Sequence, residues 1–250
     1  RQSRGSRASQ DTFLSMETAE YTASLEERII ALERAHYQCP PEVKEVDDSM
    51  RRARTEVETL QLYSCNWKWV PGPYYSWQLE KRAAILEAPS VDQLCKSLLL
   101  ENKKVTATNN SSTTTPHDNL WFNPRFVLVI LQYSAELSTD LLTKSIRRLR
   151  PVQERLDSSS FDWRVADPAD NDRITGYQFN SVTPFGLKED VPIILSSAVA
   201  ELGYFWLGGG HVHLKLGLSV SDFVKVQNVK VMEVSVKRSK PLLPAEVGEN

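Results

Sequence analysis

The segment Arg125 to Tyr133 constrains this chain more than any other. It is almost continuously apolar and β-branched, which is how a strand is built when neither of its faces meets water. Such a strand needs neighbours in a sheet and cover above and below, so the chain reads as a layered domain. Its apolar heart, Phe126 to Leu131, is the longest apolar run in the chain. It falls far short of the about 20 residues that a membrane-spanning helix requires, so no membrane partner is expected. With 41% hydrophobic and 25% charged positions, the 250 residues have the composition of a globular chain and not of a disordered one.

Thirty basic and thirty-two acidic side chains leave a formal charge of −2, so no global field pulls the molecule onto nucleic acid. Any polyanion must be held by a local patch. Cys39, Cys65 and Cys95 are odd in number and lack CxxC spacing, which argues against a disulfide framework and a thiolate zinc site and for a reducing compartment. The expected localisation is cytoplasmic. Arg1 to Gln10 carries three arginines, three serines and no acid, which fits a disordered basic tail over residues 1–11 or, alternatively, a mitochondrial or other organelle targeting remnant.

Leu25, Ile29, Leu32 and His36 recur at helical spacing before Cys39-Pro40-Pro41 stops the pattern. A second stripe, Met50, Ala53, Val57 and Leu60, follows. Together they predict a helical hairpin over 12–62, its stripes covered by each other, by the main domain, or by a partner such as a second copy in a coiled-coil homodimer. Asn66 to Trp77, with three tryptophans and two tyrosines around Pro71-Gly72-Pro73, reads as strand and turn. A short helix over Ser76 to Leu86, a cap at Ser90 and a strand over Lys96 to Glu101 come next. Asn102 to Asn119 is polar and reads as a long surface insertion. After Arg125 to Tyr133, Ser138 caps a helix ending in Arg147, Arg148 and Arg150, and short strands then alternate with short helices. This order predicts a mixed α/β domain over about 66–238, with a C-terminal tail at 239–250.

Two glycine-containing loops, Gly176 to Lys188 and Trp206 to Lys215, suit close backbone approach to a ligand's oxygens, although neither has the spacing of a phosphate or dinucleotide loop. His211 and His213 alternate as on one face of a strand, but no third ligand lies at metal spacing, and no metal or other cofactor is expected. Paired carboxylates at Asp47-Asp48 and Glu189-Asp190 read as solvated turns. Lys96 differs in kind. It enters an apolar strand, where the stem is buried and the ammonium must find an anion or a pocket.

Leu94-Cys95-Lys96-Ser97-Leu98-Leu99-Leu100, the strand Phe126 to Gln132, Asn180-Ser-Val-Thr-Pro184-Phe-Gly186-Leu187-Lys188 with Val191 to Leu195, and Gly208-Gly209-Gly210 before Leu214-Lys215-Leu216 stand in the order of a known superfamily. The chain resembles the YbaK and prolyl-tRNA synthetase editing domains over roughly its last two-thirds. It is most similar to the eukaryotic YbaK/aminoacyl-tRNA synthetase-associated branch. The resemblance implies a mixed sheet or partly closed barrel with surrounding helices, preceded here by the helical hairpin. It implies a free-standing hydrolase that cleaves the ester of a mischarged small-amino-acid tRNA, substrate-assisted, with neither metal nor covalent intermediate.

The pocket lysine of the family falls on Lys96, and its Gly-x-x-x-Pro loop falls on Asn180 to Pro184, with Asn180 in place of the usual glycine. Gly186 and Gly208, Gly209 and Gly210 correspond to backbone that borders the aminoacyl group and terminal adenosine. Thr183, Phe185 and His211 are candidate pocket walls, and Arg147, Arg148 and Arg150 candidate contacts to the RNA backbone. The expected partner is aminoacyl-tRNA. The alternative is an editing fold turned adaptor or structural subunit of a synthetase complex or other ribonucleoprotein, held through the N-terminal helices.

Overall fold

A computed structural model describes residues 4–105, 120–226 and 229–239, with side chains from residue 19 onward. Most of the expected polar insertion, residues 106–119, and the C-terminal tail from residue 240 lie outside the described residues. By its internal contacts the chain divides into two units, residues 1–48 and 49–250. The first holds helix α1 (Arg4–His36), which runs back through most of the stretch read as a basic tail. No helix among the described residues is long and apolar enough to cross a membrane.

Helix α2 (Asp48–Thr59) leads into the second unit. Its Val57 joins the main hydrophobic core, and Arg52 donates to the carbonyls of Gly176, at 2.7 Å, and of Gly186. The Gly186 amide in turn donates to the Glu56 carboxylate. These bonds fasten α2 into the main domain, so the part of the expected hairpin stripe that lies on α2 is covered by that domain.

The apolar run behaves as its composition demands. It forms β3 (Phe126–Gln132), the middle strand of a five-stranded sheet ordered β5-β2-β3-β6-β9. The others are β2 (Cys95–Asn102), β5 (Trp163–Val165), β6 (Ile193–Ser196) and β9 (Val229–Met232). β2 lies antiparallel to β3 with Lys96 opposite Leu131, and β6 lies parallel with Ile194 opposite Val129. Along β3, Leu128 and Ile130 face one core while Val127, Val129 and Leu131 face the other.

The first core is closed by a three-stranded antiparallel sheet, β1 (Asn66–Trp69), β8 (Leu214–Ser219) and β7 (Tyr204–Gly208), through Phe205, Leu207, Leu216 and Leu218. The second core is closed by Leu142 and Ile146 of the helix Thr139–Arg148, whose first turn is capped by Ser138 accepting from the Leu141 amide. The two sheets meet at one isolated bridge, Leu94 to Trp206, and among the described residues they do not close into a barrel. Helix α3 (Leu79–Leu86) packs beside that bridge with Val70, Tyr74, Leu94 and Trp206. A remaining pair joins β4 (Ala135–Leu137) to β10 (Ser235–Lys237).

Because Ile130 is fully buried between the two sheets, Ile130→Ala is expected to destabilise the domain by about 2–5 kcal/mol. Urea unfolding followed by tryptophan fluorescence would show this as a lower midpoint with an unchanged slope.

Candidate functional site

Where the two sheets converge, the chain encloses a cavity of about 540 Å³. Lys96 on β2, Asn180 and Val182 on a connecting loop, Gly208 at the end of β7, and Lys215 on β8 all line it. Segments separated by more than a hundred residues therefore converge on one space. Aromatic walls come from Tyr74, Tyr75, Tyr133 and Trp206, while the exposed Asp167 and Asp172 line its solvent side.

Lys96 enters as its apolar surroundings predict. Burial, followed by the neighbouring positive charge of Arg238, lowers its pKa to about 8, with Glu136 opposing. Its ammonium lies 6.0 Å from the centre of the Tyr133 ring. No hydrogen bond or ion pair engages it among the described residues.

The loop after Tyr177 accounts for an asparagine at position 180, where the resemblance implies a glycine. Asn180 has φ +65°, in the left-handed region that glycine enters freely and that asparagine tolerates best among residues with a side chain. The backbone demand is thus met without glycine. Tyr75 Oη donates to the Asn180 carbonyl at 2.7 Å, and Ser181 closes a turn onto the Gln178 carbonyl through both its amide and its hydroxyl. The loop then passes so close to β7 that a Cβ on Gly208 would sit 2.5 Å from the Val182 carbonyl oxygen. Glycine at 208 is required by that approach.

A second lysine, which in the sequence reads only as the flank of a glycine loop, meets the same apolar surroundings as Lys96. Lys215 stands between Leu214 and Leu216 on β8 and is 5% exposed. Its ammonium donates to Tyr75 Oη and, at 3.1 Å, to the Val212 carbonyl. Burial, and then the like charge of Arg82, lowers its pKa to about 7. Arg82 was also missed. It is fully buried, donates to the carbonyls of Trp77 and Tyr75, and lies 5.3 to 5.9 Å from the ring centres of Tyr74, Tyr75 and Tyr133. Nothing local in Lys81-Arg82-Ala83 signals this burial.

Several expected site residues stand elsewhere. Gly186, with φ +67°, lies against the Arg52 backbone and the Tyr177 hydroxyl, and its amide is engaged by Glu56, so it serves α2 and has no N–H to offer a substrate. Phe185 is core, edge-on to Phe223. Thr183 and Pro184 are buried beside it and are not among the cavity walls, and the Thr183 hydroxyl has no partner among the described residues. The Gly209 amide bonds to the Leu214 carbonyl and that of Gly210 to the Ser181 carbonyl, so both stitch the loop internally.

His211 and His213 lie in the turn before β8 and not on the strand, because the strand starts only at Leu214. Their rings are 5.7 Å apart, and His211 packs on Trp69 away from the cavity walls. Arg147 donates to the Leu156 carbonyl and Arg150 covers the Phe122 ring, while Arg148 stays exposed; none of the three lines the cavity. Among the described residues, one carboxylate cluster has metal-like spacing, namely Glu101, Asp167 and Asp170. Lys103, Arg125 and Arg173 already neutralise it.

Comparison with known proteins bears on the family and the fold. The family model of the aminoacyl-tRNA editing domain matches residues 79–226. A crystal structure described as that of a candidate trans-editing enzyme for prolyl-tRNA synthetase superposes with a TM-score of 0.55 at 17% identity, covering 78% of this chain and 100% of that one. A scaffold protein from epitope backbone grafting by computational design gives 0.55 at 16% identity, covering 78% and 100%. A hypothetical protein gives 0.53 at 16%, covering 74% and 99%. At these identities the likeness is one of fold.

The left-handed backbone at position 180 yields a test. Asn180→Gly is expected to change stability by less than about 1 kcal/mol, whereas Asn180→Val should cost about 1–2 kcal/mol because a β-branched side chain resists that conformation. Chemical denaturation of the two variants beside the parent chain measures both.

Proposed function

Because the chain belongs to the aminoacyl-tRNA editing domain family, we propose that it acts in trans on a mischarged tRNA and hydrolyses the ester of a small amino acid. The observation that carries the reading is the convergence of Lys96, Asn180 and Gly208 on one cavity. These are the positions on which the family's pocket lysine, glycine loop and bordering backbone fall. An aminoacyl ester needs its carbonyl polarised, its terminal ribose fixed and a water held nearby. Lys96 is the cation we assign to the first two tasks, and a hydroxyl of the substrate's own ribose holds the water.

Discrimination would come from the size and polarity of the walls, since one methylene is worth only about 1–3 kcal/mol in such a pocket. Tyr74, Tyr75 and Trp206 are the walls that would set that size.

A second reading draws on the amides of Gly186, Gly209 and Gly210, which are bonded within the protein and leave fewer donors for a developing oxyanion. It makes the chain a silent editing fold that serves as an adaptor in a synthetase complex or other ribonucleoprotein. Deleting residues 1–48 separates the two, because the boundary between the units falls there and α2 is bonded into the main domain. The enzyme keeps its turnover on free substrate after the deletion, whereas the adaptor loses its partner and shows no turnover in either form.

Lys96→Ala is expected to lower deacylation of alanyl-, seryl-, threonyl-, cysteinyl- or prolyl-tRNA by about a hundredfold while leaving the unfolding midpoint unchanged. An unaltered rate removes Lys96 from the mechanism. The acting form is the ammonium, so the wild-type rate should fall as pH rises through about 8, where Lys96 loses its proton. A rate profile between pH 6 and 9, corrected for spontaneous ester hydrolysis, checks the sign.

A further inference from the structure

The cavity contains a positive charge, Lys215, that no ion pair offsets among the described residues. Lys215 lies on its wall and is 5% exposed, and the charged group that biases it is another cation, Arg82. Burial lowers the pKa of Arg82, with Tyr133, Tyr74 and Tyr75 opposing, and its Nη1 is buried without a hydrogen-bond partner among the described residues. The carboxylates that line the cavity, Asp167 and Asp172, are exposed at its solvent side. What the two cations do have is the faces of phenol rings. The Lys215 ammonium is 4.4 Å from the centre of Tyr75 and 5.2 Å from that of Tyr74.

Ring faces offset only part of the cost of burying a charge, and in protein interiors buried cations are ordinarily paired with an anion. A lysine ammonium carries three donors, of which Tyr75 Oη and the Val212 carbonyl take two. Tyr75 spends its own proton on the Asn180 carbonyl and is therefore fixed as an acceptor toward Lys215. The ammonium is thus oriented, on a rigid strand, with one donor and an unbalanced charge left over.

We propose that Lys215, held by Tyr75 on the cavity wall, binds an oxyanion of the ligand, either a carboxylate of the aminoacyl side chain or a phosphate of the terminal nucleotide. The site is separate from Lys96 in origin, standing on the three-stranded sheet where Lys96 stands on the five-stranded one. The inference takes from the proposed function only that this cavity receives the ligand, and it does not require turnover. A ligand anchored here would lie across the loop Asn180 to Val182, because Tyr75 connects Lys215 to that loop.

Equilibrium binding to the full chain tests this, read through the fluorescence of Trp206 on the cavity wall. The probes are two matched pairs, AMP with adenosine and aspartate with asparagine. The wild type should bind at least one anionic member about tenfold more tightly than its neutral counterpart. A preference for AMP identifies phosphate as the source, and one for aspartate identifies the side-chain carboxylate. Lys215→Met should erase the preference and keep the neutral affinity. Should that variant fail to fold, Lys215→Gln keeps a donor for Tyr75 without the charge and should erase it equally. No anion preference in the wild type, or a preference that survives loss of the charge, overturns the proposal. An anion preference in a chain that deacylates none of the five tRNAs would leave this inference standing and remove the hydrolase reading.

Discussion

The approach of one loop to one glycine governs the cavity. The carbonyl of Val182 lies where a side chain on residue 208 would have to be, so the loop from Asn180 and the end of β7 share a space that only hydrogen can occupy. This contact brings Asn180 and Val182 to the edge of the three-stranded sheet and into line with β2. The left-handed turn at Asn180 and the bond from Tyr75 then hold the loop in that place. Lys96 would otherwise be an isolated ammonium on a strand; opposite this loop it becomes one wall of a chamber.

How much of this could be read from the residues follows from how local each cause is. The doubly buried strand announces itself, because a run such as Phe126 to Leu131 has no other stable use in a water-soluble fold. Lys96 announces itself too, since a lysine among leucines needs a destination. Lys215 carries the same signal, which the neighbouring glycines and histidines overshadowed. Gly186 could not be understood locally, because its partners Arg52 and Glu56 lie more than a hundred residues earlier in the chain. There a glycine reads as a place for a ligand's oxygens, whereas it is a place for the protein's own helix. The two histidines went astray for a smaller reason: the strand starts only at Leu214, so the alternation expected of them never begins.

The chemistry of the cavity is set by what surrounds its cations. Arg82, Lys96 and Lys215 all lie within 6.0 Å of the centre of a tyrosine ring. Burial, and after it the charges of Arg238 and Arg82, make the two lysines easy to discharge near neutral pH, Lys96 at about 8 and Lys215 at about 7, and phenol faces offset less of that cost than a carboxylate would. A carboxylate in the same position would neutralise the lysines and leave nothing for a ligand to engage. The burial that weakens these cations also strengthens whatever they bind, since the low dielectric acts on attraction as much as on solvation.

Among the described residues the two sheets are joined at the cavity by one isolated backbone bridge, Leu94 to Trp206, and pack against each other through a shared apolar core. One such bridge is worth roughly 1 kcal/mol net, so the placement of one sheet on the other rests chiefly on the shared core, whose close-packed side chains lose contacts whenever the sheets shift. The spacing of the chamber's walls is thus set by how those side chains interlock, so a change of side-chain volume in the core carries through to the cavity.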